Sequence, residues 1–379
     1  MERDGRKSVT RVVAWTAAVA IGAAVLLAAI VSSQTQPQDP GPIAPKISIK
    51  GPALRFLATQ ILFVSRSTGF ALAADEPPGA NSGPLTIYRT GNGGRTWFRV
   101  FATQLNTAAP VALRQLGSSQ VALVGLAGIT YISSDAGGPW KAVRMPAQTT
   151  DAAFVSFASP SVWYAMGNIR GGMGRDTYTV YRSGNTGKTW TAMQTFTGLP
   201  ATGIAFAAAN AGAGWIGQIP PTPGWVTWGR TGGSTSVETF YGGVPLGSTP
   251  LREYQLATYP PTFFSATTGV MPVVMQLQTP VTWLTTTHDG GAHWSTPVRV
   301  PGSVYTSTDP LHIWAAGGHR LWRTVDGGKH WYAAELPRGF AITAIDFLNP
   351  QLGWAIAKRA GHVWLVVTSD GGRRWAARR

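Results

Sequence analysis

From residue 54 onward the chain consists of short apolar runs broken by Gly, Pro, Ser, Thr, Asn and Asp, and the runs come in groups of four. The last group reads Ile345-Asp346-Phe347, then Gly353-Trp354-Ala355-Ile356-Ala357, then Val363 to Thr368, then a closing stretch at Trp375. Runs this short, bounded by turn residues, are strand signals. Comparable pairs recur as Ile61 to Val64 with Gly69 to Leu72, Phe154 to Phe157 with Trp163-Tyr164-Ala165, and Ile204 to Phe206 with Gly214-Trp215-Ile216. One run breaks the pattern: Val12 to Val31 is twenty residues without a charge, the length at which a helix crosses a bilayer.

Between the third and fourth runs lies Ser/Thr-x-Asp/Asn-x-Gly-x-x-Trp, six times over. The acid and tryptophan positions are Asn92 and Trp97, Asp135 and Trp140, Asn185 and Trp190, Asp289 and Trp294, Asp326 and Trp331, Asp370 and Trp375. Each copy sits where a hairpin turns. The Asp or Asn oxygen can accept backbone N–H groups of the turn, the Gly takes a conformation other residues resist, and the Trp is left to pack where sheets meet. These twelve residues are therefore expected to be structural. Successive acid positions are 43, 50, 104, 37 and 44 residues apart, so the long gap should hold one more unit. Trp228-Gly229-Arg230-Thr231-Gly232-Gly233 fits as a decayed copy, with Arg230 at the acid position. Seven repeats of about 40–50 residues with four strands each predict an all-β fold, a seven-bladed β-propeller.

The boxes resemble the Asp-box, or bacterial neuraminidase, repeats. The fuller pattern of Ile345-Asp346-Phe347, Gly353-Trp354-Ala355 and Asp370-Gly371-Gly372-x-x-Trp375 is similar to the photosystem II assembly and stability factor type of seven-bladed propeller. The likeness runs from about residue 54 to 379. It implies a non-catalytic role, the binding of a membrane-protein subunit on the lumenal or periplasmic side, partly through arginines.

Composition narrows the picture further. Hydrophobic residues make up 44% and charged residues 12%, about half the usual charged share of roughly 25%. The absence of Cys excludes disulfides, thiolate metal sites and a Cys nucleophile. The net charge of +15 comes from Lys and Arg scattered singly, which does not make a nucleic-acid footprint. Arg3, Arg6, Lys7 and Arg11 precede the long apolar run, so positive-inside bias places the N-terminus in the cytoplasm and everything after Ser32 across the membrane. The expected organisation is a basic cytoplasmic stretch at 1–11, a transmembrane signal-anchor helix at 12–31, a Pro-rich linker at 32–53 and the propeller at 54–379. Cleavage after Val31-Ser32-Ser33, giving a secreted protein, is the alternative. Scarce carboxylates also suggest acidic surroundings, since protonation of paired carboxylates removes stability.

In such a fold the loops joining second to third strands, and blade to blade, leave one face, while the boxes lie on the other. Long connections are expected at 74–83, 167–177, 218–224 and 238–261. The face they share would carry Arg144, Arg170, Arg175, Arg252, Arg299 and Arg338 against Asp75, Glu76, Asp176 and Glu253, a mildly basic docking surface. The expected function is a monomeric, membrane-anchored, extracytoplasmic scaffold that binds a membrane or cell-envelope protein without catalysis, cofactor or metal. The competing reading is an extracellular sialidase-like hydrolase or glycan-binding protein. A hydrolase needs paired acids, and beyond the four box aspartates only ten acidic residues follow residue 31. His288, His293, His312, His319, His330 and His362 fall singly, without metal-ligand spacing.

Overall fold

The computed structural model describes residues 46–49, 51–74, 83–105, 111–117, 119–126, 128–146, 153–169, 175–200, 204–208, 213–218, 225–231, 234–240, 256–258, 261–275, 281–291 and 293–378. The expected transmembrane segment lies outside them. Among the described residues no helix is long and apolar enough to cross a membrane.

The described chain is all-β, and its strands fall into seven sheets of four or five strands. Within each sheet neighbouring strands pair antiparallel, as the turn-bounded runs dictate, and the last sheet gains one further strand in parallel. The first strands of neighbouring sheets touch. Ala58–Phe63 meets Ala112–Gln115 on one side and Ala341–Phe347 on the other, and Ala153–Phe157 meets Ile204–Ala208. First strands therefore line the axis of a propeller, and contact between the first and last sheets closes the ring.

Aromatic wedges hold that closure. The Phe63 ring stacks on Trp354 of the last sheet at 3.8 Å between centroids, and Phe347 stacks on Trp314 of the sixth sheet at 3.6 Å. Each Phe lies flat across the glycine opposite it on its own second strand. A Cβ on Gly69 would stand 2.5 Å from the Phe63 ring, and one on Gly353 2.6 Å from Phe347. The Gly-Phe and Gly-Trp dipeptides are thus slots for the preceding strand's ring. Polar side chains on the axis add a second circumferential tie. The Asp346 carboxylate accepts the Phe63 N–H at 2.7 Å, the Ser156 hydroxyl accepts the Ala208 N–H at 2.8 Å, and the Gln60 amide both accepts from and donates to Leu113.

The six box turns share one hydroxyl-centred geometry, and the acid accepts the N–H four residues on in all but the second, where Pro139 has none and Asp135 accepts from Gly138. In the last, the buried Thr368 hydroxyl donates to Asp370 Oδ1 at 2.9 Å and accepts the Gly372 N–H at 2.9 Å, while Asp370 Oδ1 accepts the Arg374 N–H. Thr90, Ser133, Ser183, Thr287 and Thr324 repeat this with Gly94, Gly137, Gly187, Gly291 and Gly328. Each turn also bonds to the turn joining its sheet's first two strands, as Gly371 N–H does to the Gln351 carbonyl at 2.8 Å. The second Gly sits at positive φ, 93° at Gly94, and a Cβ there would run into Leu365 of the preceding sheet. Box tryptophans pack against that preceding sheet as well: Trp97 joins Trp354 and Leu365, Trp140 joins Phe70, and Trp331 joins Val298. Replacing Thr368 with Val should cost about 1–3 kcal/mol, because the buried Gly372 N–H is orphaned. The exposed Ser369→Ala should stay within roughly 0.5 kcal/mol. Chemical denaturation of both variants checks the pair.

Three expectations are corrected. Trp228 to Thr231 is not part of a decayed box: it lies in a strand, with Arg230 paired to Thr235 and Thr231 to Ser234, so the acid position continues a strand and does not open a turn. The Pro-rich linker does not extend to residue 53, because Lys46–Ser48 pairs in parallel with Arg374–Ala377 as a fifth strand of the last sheet. Two long connections are shorter than expected. Strands Trp163–Ile169 and Arg175–Ser183 extend the third sheet's hairpin, and Leu256–Thr258 joins the fifth sheet.

Candidate docking face

The box turns occupy one end of the sheets, and the hairpins between second and third strands occupy the other. At this second end the last sheet turns through Arg359-Ala360-Gly361-His362, where Arg359 pairs with His362 and both central residues have positive φ, 47° and 80°. That is a two-residue hairpin of the type that matches strand twist. An alanine held at positive φ is uncommon, so the tip is locked by the strands on either side and presents Arg359 and His362 on a rigid support.

Beside the tip lies the connection from the sixth sheet, Leu336 to Phe340. Leu336 N–H donates to the His319 carbonyl at 2.7 Å, and Phe340 N–H closes a turn on the Pro337 carbonyl at 3.1 Å. Phe340 is buried and meets Trp364 edge-on at 5.3 Å, and the Trp364 indole donates to the Gly51 carbonyl at 3.1 Å. The Arg359 guanidinium lies 5.3 Å from the Phe340 ring centroid, within cation–π range. Arg338 and Lys358 are exposed alongside. The one described carboxylate here, Glu335, is 3.2 Å from Arg320. Arg338, Lys358 and Arg359 form no ion pair among the described residues. The result is a cationic patch backed by an aromatic floor, able to hold a carboxylate-bearing segment.

Of the arginines expected on this face, Arg144 and Arg299 end outer strands of the second and fifth sheets, and Arg338 follows the outer strand of the sixth. All three are exposed at the loop end. Arg175 opens the third strand of the third sheet. Arg170 and Arg252 lie outside the described residues, as do Asp75, Glu76 and Glu253. The four that are placed belong to four sheets, so they ring the face and do not cluster. Only Arg338 joins the patch. Sequence reading missed Lys358, Arg359 and His362, although a Lys-Arg-Ala-Gly-His stretch between two apolar runs was a legible hairpin tip.

The seven carboxylates whose side chains are described each have a structural contact. Asp135, Asp289, Asp326 and Asp370 cap box turns, Asp309 caps the Leu311 and His312 N–H groups, Asp346 bonds to Phe63, and Glu335 meets Arg320. His293, His330 and His312 each pair with an aspartate, at 2.6, 2.6 and 2.9 Å. Burial works to raise the Asp326 carboxyl, but the His330 N–H and ring and the Thr324 hydroxyl outweigh it and hold it at about 2. Among the described residues no cluster of three His, Cys, Asp or Glu could hold a metal ion. At the box end, His312, Arg323, Gln351, Asp370 and Arg373 border a cavity of about 150 Å³, well below the roughly 300–1,000 Å³ typical of small-molecule sites.

No family model and no curated protein sequence matches the chain. Among solved structures, YCF48 from Cyanidioschyzon merolae is similar over 85% of this chain and 97% of its own, with a TM-score of 0.50 and 16% identity. YCF48 with a bound D1 peptide is similar over 84% and 95%, with a TM-score of 0.47 and 15% identity. The xyloglucanase of Xanthomonas campestris is similar over 84% and 60%, with a TM-score of 0.43 and 14% identity. At these identities the likeness to the first concerns the fold alone, and that fold is an all-β propeller.

Proposed function

We propose that the chain is a membrane-anchored, extracytoplasmic, seven-bladed propeller of the Asp-box type that serves as a non-catalytic protein-binding or assembly scaffold. Its partner is a membrane or cell-envelope protein that presents an acidic segment or a free C-terminal carboxylate to the loop face. The observation that carries this reading is the trio Arg338, Lys358 and Arg359, without an ion-pair partner among the described residues, beside Phe340 and Trp364. Arginine on an aromatic floor recognises carboxylates in fixed geometry, and surfaces of this make-up are enriched at protein interfaces. The sequence resemblance to assembly factors points the same way. Each of the seven carboxylates whose side chains are described caps, bridges or pairs, so none of these seven offers a free acid to the hydrolase reading.

The test is direct binding. Detergent-solubilised full-length protein should bind a peptide ending in two acidic residues and a free carboxylate at least tenfold more tightly than its amidated, neutral counterpart. Arg338→Glu/Arg359→Glu should abolish the difference with thermal unfolding unchanged, since both side chains are exposed. Equal binding by variant and wild type defeats this placement of the site. Turnover of a sialoside or other glycoside overturns the non-catalytic reading.

A further inference from the structure

The box end of the propeller carries its own basic cluster, at the junction of the last and first sheets. Arg378, near the end of the chain, donates from Nε to the Gly93 carbonyl at 2.9 Å, inside the first sheet's box turn. Arg95 of that turn reaches the Asn92 carbonyl at 3.4 Å. The Arg66 carbonyl lies 3.0 Å from where a Gly93 Cβ would stand, and Gly93 N–H donates to Ser67. Two arginine side chains, Arg95 and Arg378, thus meet at one turn, the backbone of the exposed Arg66 borders it, and its acid position holds the neutral Asn92. Arg373 and Arg374 are exposed in the adjacent box, where Asp370 is the single carboxylate. Burial, and then the neighbouring Arg95, lower the Arg378 pKa, as expected of cations crowded without counter-charge. On the same end, in the sixth sheet, Leu311 and Val325 are 53% and 44% exposed.

The chain joins the fold at this end. Lys46–Ser48 runs parallel to Arg374–Ala377, with Lys46 opposite Arg374, the first residue beyond the box turn. The apolar run Val12 to Val31 therefore connects, through residues 32–45, to the box end of the last sheet. Fourteen proline-rich residues span roughly 43 Å when extended. The tether alone does not fix which face meets the bilayer, but it enters the fold beside the basic junction.

We propose that the box end is the membrane-facing surface and that Arg66, Arg95, Arg373, Arg374 and Arg378 seat it on anionic lipid headgroups. This rests on the anchor reading above but not on the peptide site, which lies at the opposite end of the sheets. Headgroup phosphates supply the counter-charge that the junction lacks, and such attraction decays within a Debye length, so it acts only when the face lies on the surface. The loop face is then turned outward and free for a partner.

The absence of cysteine makes a single-cysteine test clean. Full-length protein carrying a spin label at Ser369→Cys, on the box end, or at Ser303→Cys, on the loop end, is reconstituted into nanodiscs. The discs are of phosphatidylcholine alone or with about one-third phosphatidylglycerol. In anionic discs, collisions of a water-soluble relaxation agent with the Ser369 label should fall at least threefold relative to neutral discs, while the Ser303 label stays unchanged. Arg95→Glu/Arg373→Glu, or 0.5 M NaCl, should restore exposure. Equal accessibility in both lipids, or protection of Ser303, overturns the seating. Failure of the chain to insert removes the anchor beneath it. Loss of acidic-peptide binding with label protection intact defeats only the loop-face site.

Discussion

Replacing Phe63 with Ala is expected to lower the free energy of unfolding by about 3–5 kcal/mol, the largest effect of any single exchange considered. Phe63 is 2% exposed, stacks face to face on Trp354 and meets Trp97 edge-on at 6.2 Å. Its loss opens a cavity at the seam where the first and last sheets close the ring. Gly69→Ala should cost about 1–3 kcal/mol by overpacking, since the new Cβ meets the Phe63 ring. In the Phe63→Ala background the collision partner is gone, so the same Gly69→Ala should be within roughly 0.5 kcal/mol of neutral. Guanidinium denaturation of the four proteins therefore measures a coupling of about 1–3 kcal/mol. Additive costs would show that the ring does not occupy the glycine's slot. Phe98→Ala serves as the contrast: Phe98 is 66% exposed on an outer strand, and its removal should be nearly silent.

The parts of this fold that were legible in sequence are those encoded within a few residues of one another. The box turns qualify, because hydroxyl, acid, glycine and tryptophan all act within eight positions, and so do the groups of four strands. What was not legible depends on partners far away in sequence. Lys46 to Lys50 alternates polar and apolar residues, which left Ile47 to Ile49 open either to add a strand to the last blade or to stay in the linker, and the free edge of Arg374–Ala377 decides for the strand. The two hydrogen bonds of each box hydroxyl were missed, since a Ser or Thr at a strand end is common and its burial is a tertiary fact. Arg230 was assigned by spacing, and the strand register on both sides overrode that spacing. The docking face shows the same division. Arg144, Arg299 and Arg338 lie at the loop end and Arg170 and Arg252 fall outside the described residues, while the patch is made by Arg359 and Phe340, which meet side by side where the first two strands of the last sheet begin and end. Asp346 was read as part of a strand signal, although a lone acid in an apolar run already pointed to a specific partner.

That acid should govern the response to pH. Burial between the first and last sheets pushes the Asp346 carboxyl up to about 7, against the opposing pull of the Phe63 and Phe347 N–H groups. An acid whose folded pKa lies above its unfolded value of about 3.9 binds more protons in the native state between those two values. Stability therefore falls as pH rises from about 4 to 7, and is flat above that range. The capping aspartates act in the opposite sense. Asp326 is held at about 2, so its contribution is complete above about pH 4 and is lost as pH falls toward 2, and Asp289 and Asp309, also lowered, act in the same direction. Together these place the stability maximum on the acid side of neutrality, near pH 4–5, in keeping with a chain that carries few carboxylates. Asp346 contributes roughly 3 kcal/mol of the expected gain between pH 8 and pH 5. Asp346→Asn keeps an acceptor oxygen for the Phe63 N–H but cannot ionise. The variant should match wild type at pH 5, exceed it by that amount at pH 8, and lose most of the slope between them. Urea midpoints at the two pH values measure the difference, and a wild-type midpoint no higher at pH 5 than at pH 8, or a slope retained in Asp346→Asn, would show that the carboxylate is not the group responsible.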